Sequence, residues 1–158
     1  MKGLLITGSN GWLGKATLKE FIKSNLIDDL RIIFLVNLFQ MNNVNIDVDI
    51  EKYCKDNKIQ LINLYGNLGK NKVFSQINSN LRSFSISDLK VIAIASIIHP
   101  NNYGDFKKVN QQGLKKLYEV CSKYNLTKFT YISSNSPFGF NSANKAFDEL
   151  SNYSPKGG

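Results

Sequence analysis

Lys2-Gly3-Leu4-Leu5-Ile6-Thr7, followed by Gly8-Ser9-Asn10-Gly11-Trp12-Leu13-Gly14, is the stretch that decides the fold. Its first half is apolar with little alternation, as a short strand buried on both faces is. Gly8, Gly11 and Gly14 then recur at a spacing of three. From Leu13 onward Ala16, Leu18, Phe21 and Ile22 return at helical spacing. A strand that feeds a glycine-rich turn and a helix N-terminus is suited to hold a phosphate. The first N–H groups of the helix are unpaired, and its dipole favours an anion. Glycine lets a pyrophosphate approach the backbone closely. Thr7, Gly8, Asn10, Gly11, Trp12, Leu13 and Gly14 are therefore the first candidate binding residues.

Four more apolar runs follow, at Arg31–Val36, Ile59–Leu64, Leu89–Ala95 and Lys128–Ser133. Ile, Val, Leu and Phe dominate them, as in strands covered on both sides. Between the runs lie helical patterns at Leu13–Ser24, Asp49–Asn57, Asn71–Asn80 and Asp105–Tyr124. The last puts Phe106, Val109, Gly113, Leu117 and Val120 or Cys121 on one face. Strand and helix alternate, which predicts a doubly wound parallel α/β sheet of about five strands. Right-handed crossovers then bring every strand C-terminus to one edge, where ligands bind. The Asn-rich segment Gln40–Val48 reads as loop, and no strand pattern follows Asn135. The edge beyond Lys128–Ser133 is expected to be apolar.

The 158 residues suit one domain, and 42% hydrophobic with 20% charged residues is an ordinary globular composition. No apolar stretch reaches the roughly 18 residues of a membrane span. Met1-Lys2-Gly3 runs directly into the first strand, which leaves no room for a leader in front of it. Cys54 and Cys121 lack metal-ligand spacing and read as reduced thiols of a cytoplasmic protein, with no metal site. The net charge of +8 is carried by scattered lysines without an aromatic-and-basic stripe. It reads as solvated surface that helps attract an anionic ligand, not as a nucleic-acid face.

Taken together, these motifs resemble the extended short-chain dehydrogenase/reductases of the NAD-dependent epimerase/dehydratase family. Thr7–Gly14 has the form T-G-x-x-G-x-x-G, and Val109-Asn110-Gln111-Gln112-Gly113 is similar to the family's V-N-x-x-G. Lys128–Ser134, KFTYISS, is similar to the family's fifth strand, and Phe138-Gly139 to the dipeptide after it. Phe147-Asp148-Glu149 resembles the acidic segment before the catalytic Tyr. The resemblance covers residues 1–150 in the right order. It implies a Rossmann-type, NAD(P)-binding domain over 1–150, with 151–158 approaching a catalytic helix and substrate region.

Cofactor preference is read at the end of the second strand, where a carboxylate would accept the ribose hydroxyls and reject a 2′-phosphate. Here Asn37 stands 23 residues past Gly14. Where the family has G-D-[LV] after the third strand, this chain has Gly66-Asn67-Leu68. The resemblance implies that Asn67 meets the adenine through its amide, with Leu68 beside it. Asn37 can hydrogen-bond a ribose hydroxyl and no Arg follows it to welcome a phosphate, so NAD is the expected cofactor; both departures remove negative charge, so NADP stays open. Ala93-Ile94-Ala95 is similar to the family segment that lies along the nicotinamide-side ribose. His99 reads as a solvated loop residue.

The resemblance also implies the chemistry. Family catalysis uses Ser or Thr, Tyr and Lys, with an Asn that supports the Lys. Ser134, five residues before Gly139, takes the place of the Ser, with Ser133 as fallback, and Asn110 takes the place of the Asn. No Tyr-x-x-x-Lys follows Ser134, since Tyr153 has Gly157 at the fourth place. Tyr103 with Lys107 precedes the Ser, and Tyr124 with Lys128 straddles a helix end and a strand start. The expected function is the NAD(P)-binding portion of a nucleotide-sugar epimerase or dehydratase, inactive as it stands. A non-catalytic dinucleotide-binding regulatory module is the alternative. The expected partner is a small-molecule substrate, not nucleic acid or membrane, and a homodimer is open for a full-length protein.

Overall fold

A computed structural model describes residues 1–24, 28–38, 48–97, 102–133 and 150–151. The opening strand β1 (Lys2–Thr7) lies at the centre of a five-stranded, all-parallel sheet. The chain continues through α1 (Trp12–Lys23) to β2 (Leu30–Asn37), then α2 (Val48–Asp56) and β3 (Gln60–Tyr65). Next come α3 (Asn71–Ser83) and β4 (Asp88–Ala93), a helical stretch from Tyr103 to Cys121, and β5 (Leu126–Tyr131). The strand order β3-β2-β1-β4-β5 is that of a Rossmann-type doubly wound sheet. After β3 the chain crosses back to the far side of β1, so the order reverses between β1 and β4. Thr7 and Ala93 are level across that reversal.

The strands are apolar on both sides because both sides are covered. Leu4, Ile6, Ile33 and Leu35 face Leu18 and Ile22 of α1 and Ile50 and Cys54 of α2. The alternate residues Leu5, Ile32, Phe34, Val36 and Val91 face Val73, Phe74, Ile77 and Leu81 of α3 and Leu117 from the last helix. Each such fully buried side chain contributes roughly 1.5–3 kcal/mol relative to exposure. Among the described residues no helix is long and apolar enough to cross a membrane, and no cluster of metal-ligating side chains occurs.

Most element boundaries shift by one to three residues from the sequence reading, and three differences have a visible cause. β4 stops at Ala93, because the N–H groups of Ile94 and Ala95 turn away to bond the Thr7 hydroxyl. β5 begins at Leu126 because Asn125, in a left-handed conformation (φ 50°), turns the chain into the strand. Asn125 also donates its side-chain amide to Ile86 O and accepts Leu89 N–H at its carbonyl. The long helix is not uniform: α4 (Tyr103–Phe106) and α5 (Leu114–Cys121) flank π-helical turns at Lys107–Gly113. β5 forms one edge of the sheet and is less apolar than expected, with Thr127 and Lys128 exposed beside Tyr131 and Ile132.

Candidate functional site

Three buried polar residues, Thr7 (0% exposed), Ser9 (4%) and Asn37 (4%), sit together where β1 and β2 end. Buried polar groups are costly unless bonded, so their pairing says what this place is built for. The Thr7 hydroxyl oxygen accepts from the N–H groups of both Ile94 and Ala95, at 3.1 Å each. It thereby joins β1 to the segment after β4, across the point where the strand order reverses. The Ser9 hydroxyl donates to Asn37 Oδ1 at 3.0 Å, and the Asn10 N–H donates to the same oxygen at 2.9 Å. Asn37 thus braces the glycine turn from the end of the neighbouring strand. Ser9 was not singled out in the sequence; its small polar side chain inside an otherwise glycine-spaced turn was the only signal.

The turn itself is tight. Gly8 adopts φ +73°, which favours glycine, and its N–H donates to Val36 O at 2.7 Å. A Cβ on Gly14 would stand 2.1 Å from Gly8 O, so α1 can pack on the turn only through glycine. Gly11 is different. Its backbone is ordinary extended (φ −72°, ψ 164°), and a Cβ would meet only Gly8 O, at 3.2 Å. That contact is tight but far looser than the one at Gly14, and the bare position leaves the helix N-terminus open to a ligand. Gly11 caps α1 without a side-chain bond, and no acidic residue occupies the first turn. The first-turn N–H groups of Trp12, Leu13 and Gly14 have no partner within the helix. They and the helix dipole are therefore available to an anion. Trp12 is 87% exposed and Leu13 is also exposed.

The remaining candidates line the same sheet edge or support it. Asn67 Oδ1 accepts the Gly69 N–H at 2.7 Å, and Asn67 O accepts the Lys70 N–H at 2.9 Å. Its side-chain carbonyl oxygen is thus used locally. Leu68 is buried in the core against Val109 and Leu117. Gly113 passes so near Leu68 that a Cβ would stand 2.6 Å from its carbonyl oxygen. On the π-helical turns, Asn110 Oδ1 accepts the Ile97 N–H and Asn110 Nδ2 donates to Ile97 O, both at 2.8 Å. Asn110 therefore clamps the segment after β4, and acts by positioning it. Ala93 is buried at the end of β4 and accepts the Ile132 N–H at its carbonyl. The Tyr124 hydroxyl donates to Asn78 and serves packing. Ser133 is exposed after β5, whereas Ser134, His99 and Phe147-Asp148-Glu149 lie outside the described residues.

One group in the site is left over. Asn37 Nδ2 is buried and has no hydrogen-bond partner among the described residues. An orphaned buried donor costs about 1–3 kcal/mol, which a bound acceptor would recover. A bare cradle at Gly11, three amides at a helix N-terminus and an unpaired donor beside them fit a phosphate-bearing ligand with further acceptor atoms, as a dinucleotide is.

Known proteins share this fold. Residues 5–155 match the model of the 3-beta hydroxysteroid dehydrogenase/isomerase family. The uncharacterized protein y4nL of Sinorhizobium fredii is 39% identical over 69 residues, which are 43% of this chain and 19% of that one. A dTDP-glucose 4,6-dehydratase from Bacillus anthracis, solved in complex with NAD, superposes with a TM-score of 0.69 at 15% identity. It covers 99% of this chain and 45% of its own. The Bordetella bronchiseptica enzyme WbmG, in complex with NAD and UDP, gives a TM-score of 0.68 at 17% identity, covering 97% of this chain and 44% of its own. The chain thus spans less than half the length of these relatives.

Proposed function

Because the chain belongs to the 3-beta hydroxysteroid dehydrogenase/isomerase family, we propose that it is the NAD-binding portion of an epimerase/dehydratase-type oxidoreductase. The observation that carries this reading is the uncapped N-terminus of α1 over the Gly8–Gly14 turn, braced by Asn37. The N–H groups of Trp12, Leu13 and Gly14 hold the pyrophosphate. Asn37, Asn67 and the neighbourhood of Leu68 meet the adenosine end. The Ala93-Ile94-Ala95 segment, fixed by Thr7 and Asn110, lies along the nicotinamide-side ribose. When bound, the nicotinamide supplies a hydride acceptor or donor.

A nucleotide-sugar is the proposed substrate class. The solved dehydratase and the WbmG complex with UDP support it. Ser134 hydrogen-bonds the substrate oxygen in this reading, and Asn110 holds the site's wall. No Tyr-x-x-x-Lys follows Ser134 in these 158 residues. Lack of a general acid/base lowers rates by about 10²–10⁴, so any turnover by these 158 residues alone is expected to be weak. A hydroxysteroid is the second reading, favoured by the family match itself.

The test is titration calorimetry of the chain with NAD⁺, with the fluorescence of Trp12, its one tryptophan, as a second signal. Saturable binding that disappears in Gly11→Val, with the far-UV circular dichroism unchanged, is the expected result. Equal affinity in the variant would mean that the turn is not the phosphate site.

A further inference from the structure

We propose that Asn37 reads the cofactor as a hydrogen-bond donor, so that the site accepts a 2′-phosphorylated dinucleotide about as well as the unphosphorylated one. The inference rests on the dinucleotide reading of the glycine turn. Its own basis is the direction of the Asn37 amide. Asn10 N–H can only donate, and it donates to Asn37 Oδ1. Turning the amide over would set N–H against N–H, so the oxygen is committed to the turn. Ser9 donates to the same oxygen. What remains is Nδ2, buried at the end of β2 and without a partner among the described residues.

A carboxylate at this position would behave in the opposite way. One oxygen would take the Asn10 and Ser9 hydrogen bonds. The other would accept a ribose hydroxyl proton and repel a phosphate by its charge. The donor at Nδ2 instead requires an acceptor. A ribose hydroxyl oxygen satisfies it, and so does a 2′-phosphate oxygen, which accepts more strongly because it is charged. The residues bonded to the Asn37 amide, Ser9 and Asn10, are themselves uncharged. The chain's net charge of +8 further favours the more anionic ligand. Among the described residues, those bonded to Asn37 carry no charge that would repel the extra phosphate.

The experiment is calorimetric titration of the 158-residue chain with NAD⁺ and with NADP⁺, repeated on Asn37→Asp. The two dissociation constants of the unmodified chain are expected within about tenfold of each other. In Asn37→Asp the ratio should move toward NAD⁺ by roughly tenfold or more. A larger than about tenfold preference for NAD⁺ in the unmodified chain, or an unchanged ratio in the variant, overturns the inference and leaves the dinucleotide site standing. Binding of neither nucleotide overturns both. Should Asn37→Asp fail to fold, the side-chain amide resonances of Asn37 decide in its place. Their shift on adding each nucleotide supports the donor role, and their indifference to both refutes it.

Discussion

Gly14 and Gly8 touch so closely that a single added methyl group would stand 2.1 Å from the Gly8 carbonyl oxygen and 2.7 Å from Ser9 Cα. The contact seats the first turn of α1 on the end of β1, and so fixes where its free N–H groups point. Gly14→Ala is therefore expected to move the helix off the turn. Overpacking of this kind costs typically 1–3 kcal/mol. A lowered urea midpoint together with lost NAD⁺ binding is the expected outcome. In Gly11→Val, by contrast, binding should go with a smaller loss of stability, since Gly11 has ordinary extended backbone and its added Cβ would stand 3.2 Å from Gly8 O.

Thr7→Val keeps the shape of the side chain and removes the acceptor shared by Ile94 and Ala95. Two N–H groups near the sheet edge would then lack a partner. A loss of about 1–3 kcal/mol is expected from urea unfolding. Faster hydrogen exchange at Ile94 and Ala95 than in the unmodified chain, with β4 little changed, should accompany it. Exchange unchanged at these amides would show that Thr7 does not hold the segment.

Asn110→Ala removes both bonds to Ile97. The residue is half-buried, so water can replace part of what is lost, and about 1–2 kcal/mol of destabilisation is expected. Asn110→Asp keeps the bond from the Ile97 N–H but sets a carboxylate against the Ile97 carbonyl. It should be at least as harmful as the alanine. A neutral effect of both would mean that the π-helical turns are held by packing alone.

Cys121 and Cys54 are buried, and burial pushes their thiols up from 9.0 to about 12 and about 11. A raised folded value stabilises the native state below the unfolded value, and that stability is lost as pH climbs toward the folded value. The urea midpoint is therefore expected to fall between pH 9 and about 11–12. Replacing both cysteines by alanine should flatten that fall. At pH 8 a disulfide reagent should label neither thiol until denaturant is added.

Much of the architecture could be read from the chain alone, because it rests on patterns that repeat locally. Runs such as Leu4-Leu5-Ile6 and Ile32-Ile33-Phe34-Leu35-Val36 are short, rich in β-branched residues and apolar at successive positions, as in a strand covered on both faces. Glycines spaced by three between such a strand and an amphipathic helix mark the turn in the same way. The site's detail was not legible, because it depends on which atom faces which across distant segments. Thr7 and Ser9 have nothing in their neighbours to show that one ends β4 and the other braces Asn37. The π-helical turns at Lys107–Gly113 follow no residue pattern either, and there the chain meets Ile97 through Asn110 and Leu68 through Gly113. Asn37 was visible in the sequence as a residue at the end of the second strand. Whether it offers an oxygen or an N–H was decided only in the folded protein, where the Asn10 backbone takes its oxygen and leaves the nitrogen without a partner among the described residues.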